Sequence, residues 1–156
     1  AIVRVMPNLA AMVGLGVSRL YANAKYTEQQ KTEVTKLFAE TGTCILLSSK
    51  DEIDRLTTII GSGPGYIFEV MRSYVLAAKS IGFDDETAHT LVLDTIAGTV
   101  ETARQSADTL EELRTSVTSE NGTTQAGLAE LMRDRKLEVL FQITVQAAYN
   151  RAIGLR

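Results

Sequence analysis

The sequence predicts a mainly α protein in which a long helical region follows a short α/β segment. Three observations predict it. Aliphatic and β-branched runs of strand character are confined to residues 2–6, 16–22 and 43–47. After Ser48 the apolar period becomes helical and stays so. Hydrophobic content of 45% with 22% charged residues is that of an ordinary globular chain. A chain of 156 residues holds one full domain, or one domain plus part of another. At that size roughly 70% of the extended surface is buried on folding, so neither disulfide nor metal is needed for stability.

The first two strands are separated by the Pro7-Asn8 turn and a glycine-bearing loop. Thr27 with Gln30 three positions on is a capping-box pattern, and Val34, Leu37 and Phe38 continue at helical spacing. Gly42 suits the residue just past that helix, and a strand over 43–47 follows, with Cys44 as a small core residue. Strand, strand, helix, strand reads as the closing part of an α/β sheet domain.

From Glu52 to Ile60 the pattern is a short helix, interrupted at Gly61-Ser62-Gly63-Pro64. Pro64 fits the first turn of the next helix, where its missing N–H has no partner to lose. Ile67, Val70, Met71, Tyr74, Val75 and Ala78 then form a stripe widened by Ala77 and Ile81, with Glu69, Arg72 and Lys79 as the charges between Gly65 and Gly82. So lean a surface predicts burial on more than one side and hence an oligomer. Asp84 caps a long helix whose first turn holds Asp85 and Glu86, and Thr109 with Glu112 starts a short one. Further helices are expected over residues 124–133 and 137–153.

Several function classes drop out. A formal net charge of −3 with no basic run argues against nucleic acid as a partner. No apolar run reaches the roughly 20 residues a bilayer span needs, and no charged-then-apolar leader opens the chain. The single cysteine, Cys44, excludes an internal disulfide and fits a reducing, cytoplasmic compartment. One histidine, His89, reads as an ordinary helix residue and makes neither a zinc site nor a Cys–His pair with Cys44. The chain opens on Ala1-Ile2-Val3, already strand-like and without an initiator methionine, so further chain is expected upstream.

The stretch with most chemistry is Val117-Thr118-Ser119-Glu120-Asn121-Gly122-Thr123-Thr124, where a hydroxyl-rich loop feeds a helix. Such a turn can aim backbone N–H groups and hydroxyls at one point, as a bound carboxylate requires. The same residues also suit a plain helix cap. With Val5-Met6-Pro7-Asn8 and Gly61-Ser62-Gly63-Pro64-Gly65-Tyr66, this loop resembles pyrroline-5-carboxylate reductase in the order and spacing of the three segments, over essentially the whole chain. It resembles only the later part of that family's proteins.

The resemblance implies NAD(P)H-dependent reduction of 1-pyrroline-5-carboxylate to L-proline. It implies residues 1–48 as the end of a Rossmann-like cofactor domain, in a terminal β-β-α-β arrangement. Residues 49–156 would be an all-helical dimerisation and substrate domain, with the active site between the cofactor domain and the helical dimer. Substrate contacts fall on Ser119, Gly122, Thr123 and Thr124, with the Thr124 hydroxyl as the catalytic group. Cofactor contacts fall on Asn8 and Ser116, although a plain turn residue also explains Asn8. The cofactor is NADP or NAD in reduced form, with no metal, and the assembly is a homodimer or dimers of it. No G-x-G-x-x-G occurs; Gly61-Ser62-Gly63 follows a helix rather than a strand, and its glycines also suit close helix approach. Glu120-Asn121 replaces the Pro-Gly usual in the family's loop. Two other readings therefore stay open: a silent relative serving as an oligomerisation module, or a reductase of a different imino acid.

Overall fold

A three-stranded sheet forms where the strand-like runs lie. β1 (Val3–Met6), β2 (Gly16–Ala22) and β3 (Gly42–Leu47) stand in the order β1-β2-β3, with β1 antiparallel and β3 parallel to β2. The structure, a computed structural model, describes residues 3–22, 27–47 and 49–155; Ile2, expected to open the first strand, lies outside them. Between β1 and β2 runs a tight helical turn, Leu9–Val13, ended by Gly14 at φ 73°. Glycine reaches that left-handed angle without steric cost.

The parallel pair β2 and β3 is joined through α1 (Glu28–Ala39). Its capping box is formed: Thr27 Oγ1 accepts the Gln30 N–H at 3.2 Å, and Gln30 Oε1 accepts the Thr27 N–H at 3.1 Å. Gly42 does not follow that helix directly as expected. The cap is Glu40, and Gly42 is instead the first residue of β3, opposite Gly16 with φ 132°. A Cβ on Gly42 would lie under 3.0 Å from the Gly16 backbone, so glycine there serves strand contact as well as chain reversal. Cys44 is half-buried rather than a full core residue, and burial pushes its thiol pKa up.

α2 (Lys50–Leu56) begins at Ser49, whose hydroxyl accepts the Glu52 N–H at 3.3 Å. The expected helix through Ile60 is present, but its winding widens to a π turn over Thr57–Gly61, where the Ser62 N–H reaches back to the Thr57 carbonyl at 3.0 Å. α3 (Gly63–Ser80) follows with Pro64 in its first turn.

The chain divides into two compact units: residues 1–67 with 143–156, and residues 68–142. In the first, the buried centre is β2, where Ser18, Arg19 and Leu20 are all but inaccessible. The end of α7 (Lys136–Ile153) contributes Val145, Gln146 and Tyr149 to a groove of about 340 Å³ shared with Arg55, Thr58 and Ile59.

The second unit holds most of α3, then α4 (Asp85–Gln105), α5 (Leu110–Ser116), α6 (Thr123–Leu131) and the start of α7. Asp84 caps α4 by accepting the Thr87 N–H at 2.8 Å. Thr109 and Glu112 form the expected capping box of α5. α6 is shorter than expected, ending at Leu131, and a tight turn over Arg133–Arg135 leads into α7. Ala88 and Val92 of α4 are buried, whereas Leu110 is 75% exposed and Val117 65%. Phe68, Tyr74, Leu76 and Leu140 are exposed as well, so the helices of this unit leave much of their apolar surface uncovered by the chain itself.

Candidate functional site

The hydroxyl-rich loop is tied at both ends by its own side chains. At the end of α5, the Ser116 hydroxyl donates to the Leu113 carbonyl at 2.8 Å and the Thr118 hydroxyl to the Arg114 carbonyl at 2.6 Å. These bonds satisfy carbonyls that the helix end would leave without partners. The loop then closes as a turn, with the Gly122 N–H donating to the Ser119 carbonyl at 3.1 Å. Asn121, inside that turn, has φ 57°. The left-handed region is costly for most side chains but tolerated by asparagine. Its N–H donates to Gln125 Oε1 at 2.7 Å.

Gly122 is the N-cap of α6, and its carbonyl accepts the Ala126 N–H at 3.2 Å. The N-cap is a glycine with no side chain to offer, so neither Thr123 nor Thr124 holds the cap position. The first N–H groups of a helix have no intrahelical acceptor and carry the positive end of its dipole. Thr123 and Thr124 are the first two residues of α6, and both are exposed.

The Gly122 N–H is spent inside the turn, whereas those of Thr123 and Thr124 lie at the helix start. Gly122 has another use. A Cβ there would lie under 3.0 Å from Ser119 Oγ, so the missing side chain makes room for that hydroxyl beside the helix start. Ser119, Gly122, Thr123 and Thr124 therefore form one cluster, with Glu120 exposed on the same turn. Ser116 sits just before it, at the end of α5.

Asn8 belongs to the first unit, and its amide is already engaged there. Oδ1 accepts the Val17 N–H at 2.9 Å, and Nδ2 donates to the Ile60 carbonyl at 3.3 Å. The residue thus brackets the end of β1, the start of β2 and the π turn. One Nδ2 hydrogen is left beyond that bond, and the Ser116 oxygen keeps its acceptor lone pairs. Among the described residues no three metal-ligating side chains gather, and no helix is long and apolar enough to cross a membrane.

Arg19 is the buried group that sequence reading passed over. Its signal was a lone charge inside Val17-Ser18-Arg19-Leu20. Nη1 donates to Thr57 Oγ1 at 2.6 Å and to the Ile53 carbonyl at 3.2 Å, while Nη2 is buried without a partner among the described residues. Burial pushes the guanidinium pKa down. The side chain lines a cavity of about 230 Å³ with Val5, Met6, Tyr21, Leu47 and Ile53.

The family described as pyrroline-5-carboxylate reductase dimerisation matches residues 50–155. A pyrroline-5-carboxylate reductase of Pseudomonas aeruginosa is 36% identical over 154 residues, covering 99% of this chain and 56% of the relative. One from Staphylococcus haemolyticus is 32% identical with the same coverage. The chain thus spans little more than half the length of the curated relatives it matches. Among solved structures, the pyrroline-5-carboxylate reductase of Coxiella burnetii superposes with a TM-score of 0.91 at 35% identity, covering 99% of this chain and 57% of that one. The Plasmodium falciparum pyrroline carboxylate reductase, solved with NADP bound, gives 0.89 at 29% identity, covering 97% and 62%.

Proposed function

The chain belongs to the pyrroline-5-carboxylate reductase family, and from that premise we propose that the protein reduces 1-pyrroline-5-carboxylate to L-proline with NADPH or NADH. The observation that carries the reading is the start of α6: two N–H groups outside the helix's own bonding, with the Ser119 hydroxyl beside them.

The substrate is a cyclic imine with a carboxylate next to the ring. In this reading Thr123 and Thr124 receive the acid group on their N–H groups, and Ser119 shapes the wall of the turn. The Thr124 hydroxyl donates a hydrogen bond to the ring nitrogen. That contact orients the C=N bond or relays a proton to nitrogen as the bond becomes a secondary amine, solvent returning the proton to the hydroxyl. A bound reduced nicotinamide cofactor supplies the hydride that the imine carbon takes up. NADP in the Plasmodium falciparum relative supports a cofactor of this class, and Asn8 and Ser116 are its proposed contacts.

Residues 1–48 are read as the end of the cofactor domain and 49–156 as the dimerisation and substrate domain, a division supported by the family match over 50–155. We place the active unit in a homodimer. The apolar groove of about 580 Å³ along α4 and α5, walled by Leu110, Leu113 and Val117, supports a second copy of the chain as its cover. An obligate interface of this kind buries on the order of 2,000 Å² or more. The free Cys44 thiol accords with a cytoplasmic setting.

The test is Thr124→Ala in the complete dimeric enzyme, followed by NADPH or NADH oxidation with 1-pyrroline-5-carboxylate. Turnover is expected to fall by about 100-fold or more, the usual scale for a positioned proton donor. Unchanged kinetics would overturn the assignment.

A further inference from the structure

Gln125 does no work in the mechanism above, yet its side chain turns back from the first turn of α6 onto the loop that precedes it. Oε1 takes the N–H of Asn121, the residue that holds φ 57° inside the substrate turn. We propose that Gln125 is a positioning residue: by accepting that N–H, it keeps Asn121 left-handed and so fixes where the Thr123 and Thr124 N–H groups point. The proposal rests on the reading that this turn binds the substrate's acid group.

The physical case has three parts. A left-handed asparagine is tolerated rather than preferred, so its conformation depends on what holds it. Asn121 immediately precedes the cap residue Gly122, so its ψ angle sets the direction in which α6 begins. Gln125 rides on the body of α6, which is locked by the Ala126 N–H on the Gly122 carbonyl. Loop and helix are thereby closed into three linked bonds: Gly122 to Ser119, Asn121 to Gln125, and Ala126 to Gly122. Without the middle bond, Asn121 can relax toward right-handed or extended backbone, and the anion-binding groups lose their common aim. Gln125 spends its oxygen on backbone, so its effect falls on how tightly the acid group is held rather than on hydride uptake.

The test is steady-state kinetics of full-length dimeric Gln125→Ala, Asn121→Gly, the double variant and Thr124→Ala, each checked for melting temperature and sedimentation. Gln125→Ala is expected to raise KM for 1-pyrroline-5-carboxylate about tenfold, leaving kcat and the cofactor KM within about twofold. Glycine reaches the left-handed region unaided, so in the Asn121→Gly background the same change should raise KM by no more than about twofold. A double variant as impaired as Gln125→Ala alone would overturn the proposal. So would a Gln125→Ala enzyme whose kcat and both KM values worsen together with loss of folded dimer. If Gln125→Ala is silent while Thr124→Ala is crippled, the brace falls and the site stands. If both are silent, the site falls with it.

Discussion

Arg19 Nη1 lies 2.6 Å from Thr57 Oγ1, so a buried guanidinium from the middle of β2 is held by the first residue of the π turn after α2. Thr57 in turn donates to the Ile53 carbonyl at 2.6 Å, and Nη1 reaches the same carbonyl at 3.2 Å. The sheet and the widened helix are joined through one cation that has no carboxylate partner among the described residues. A buried charge without a counter-charge contributes little net stability, and replacing it with an apolar chain of similar length is often neutral or stabilising. Arg19→Met is therefore expected to leave unfolding stability unchanged or raise it by about 1–3 kcal/mol. Thr57→Val, which strips an acceptor from the retained guanidinium, should lower it by about 1–3 kcal/mol. Urea unfolding of the two variants checks the contrast.

Gly122 and Ser119 compete for one space. A Cβ on Gly122 must displace the Ser119 hydroxyl, which can rotate away, and press on the Ser119 carbonyl at 3.1 Å, which must give by a few tenths of an ångström. Gly122→Ala should therefore fold with nearly normal stability but raise the KM for the imino acid, and Ser119→Ala should raise it by a similar factor. Because both changes remove the same hydroxyl from the same place, the double variant should be no worse than either alone. Additive losses in a double-mutant cycle would show that the two residues act separately.

Asp134 stands at φ 55° and Arg135 at φ 56° in the connection into α7. The ion pair of Asp134 with Lys136, at 3.6 Å, is exposed and offsets little of that cost. Asp134→Gly is expected to raise stability by about 0.5–1 kcal/mol, relief of the left-handed strain exceeding the extra freedom of the unfolded chain. Thermal unfolding against Lys136→Ala, predicted to be near neutral, separates backbone relief from loss of the ion pair.

Acid should loosen α4 through its cap. The Asp84 carboxylate accepts the Thr87 N–H at 2.8 Å and the Thr87 hydroxyl at 2.9 Å, and these bonds hold its pKa below the ordinary aspartate range. A carboxyl depressed on folding contributes stability above its unfolded pKa and loses it as pH falls through the folded value. Melting temperature followed from neutral pH downward should decline through the acid range in the parent protein. Asp84→Asn keeps a capping oxygen without the titration, so its decline should be shallower.

Leu110 and Val117 flank the groove along α4 and α5 and are among the most exposed apolar residues described. If a second copy covers them, Leu110→Glu should leave the helical circular dichroism intact and shift sedimentation from dimer toward monomer. It should also lower activity through loss of the assembled site. A variant that stays dimeric at micromolar concentration would place the interface elsewhere.

The features legible in the sequence are those made within one helical turn. Thr27 with Gln30 and Thr109 with Glu112 form the capping boxes their spacing predicts, and Asp84 is the N-cap expected of it. The positive φ of Asn121 is likewise a local matter, since asparagine tolerates that region. The loop's resemblance to a known family was equally available, since it rests on residue types and order; the family match over residues 50–155 agrees with it.

By itself, then, the sequence determined a mainly helical chain behind a small sheet, the starts of most helices, its family, and the loop where chemistry is proposed. Only tertiary structure decided that Gly42 meets Gly16 across two strands, that Asn8 spends its amide on Val17 and Ile60, and that Arg19 is buried beneath the π turn. The reason is physical: a cap is complete within a few residues of chain, whereas burial and bond satisfaction depend on groups that meet only when distant segments pack.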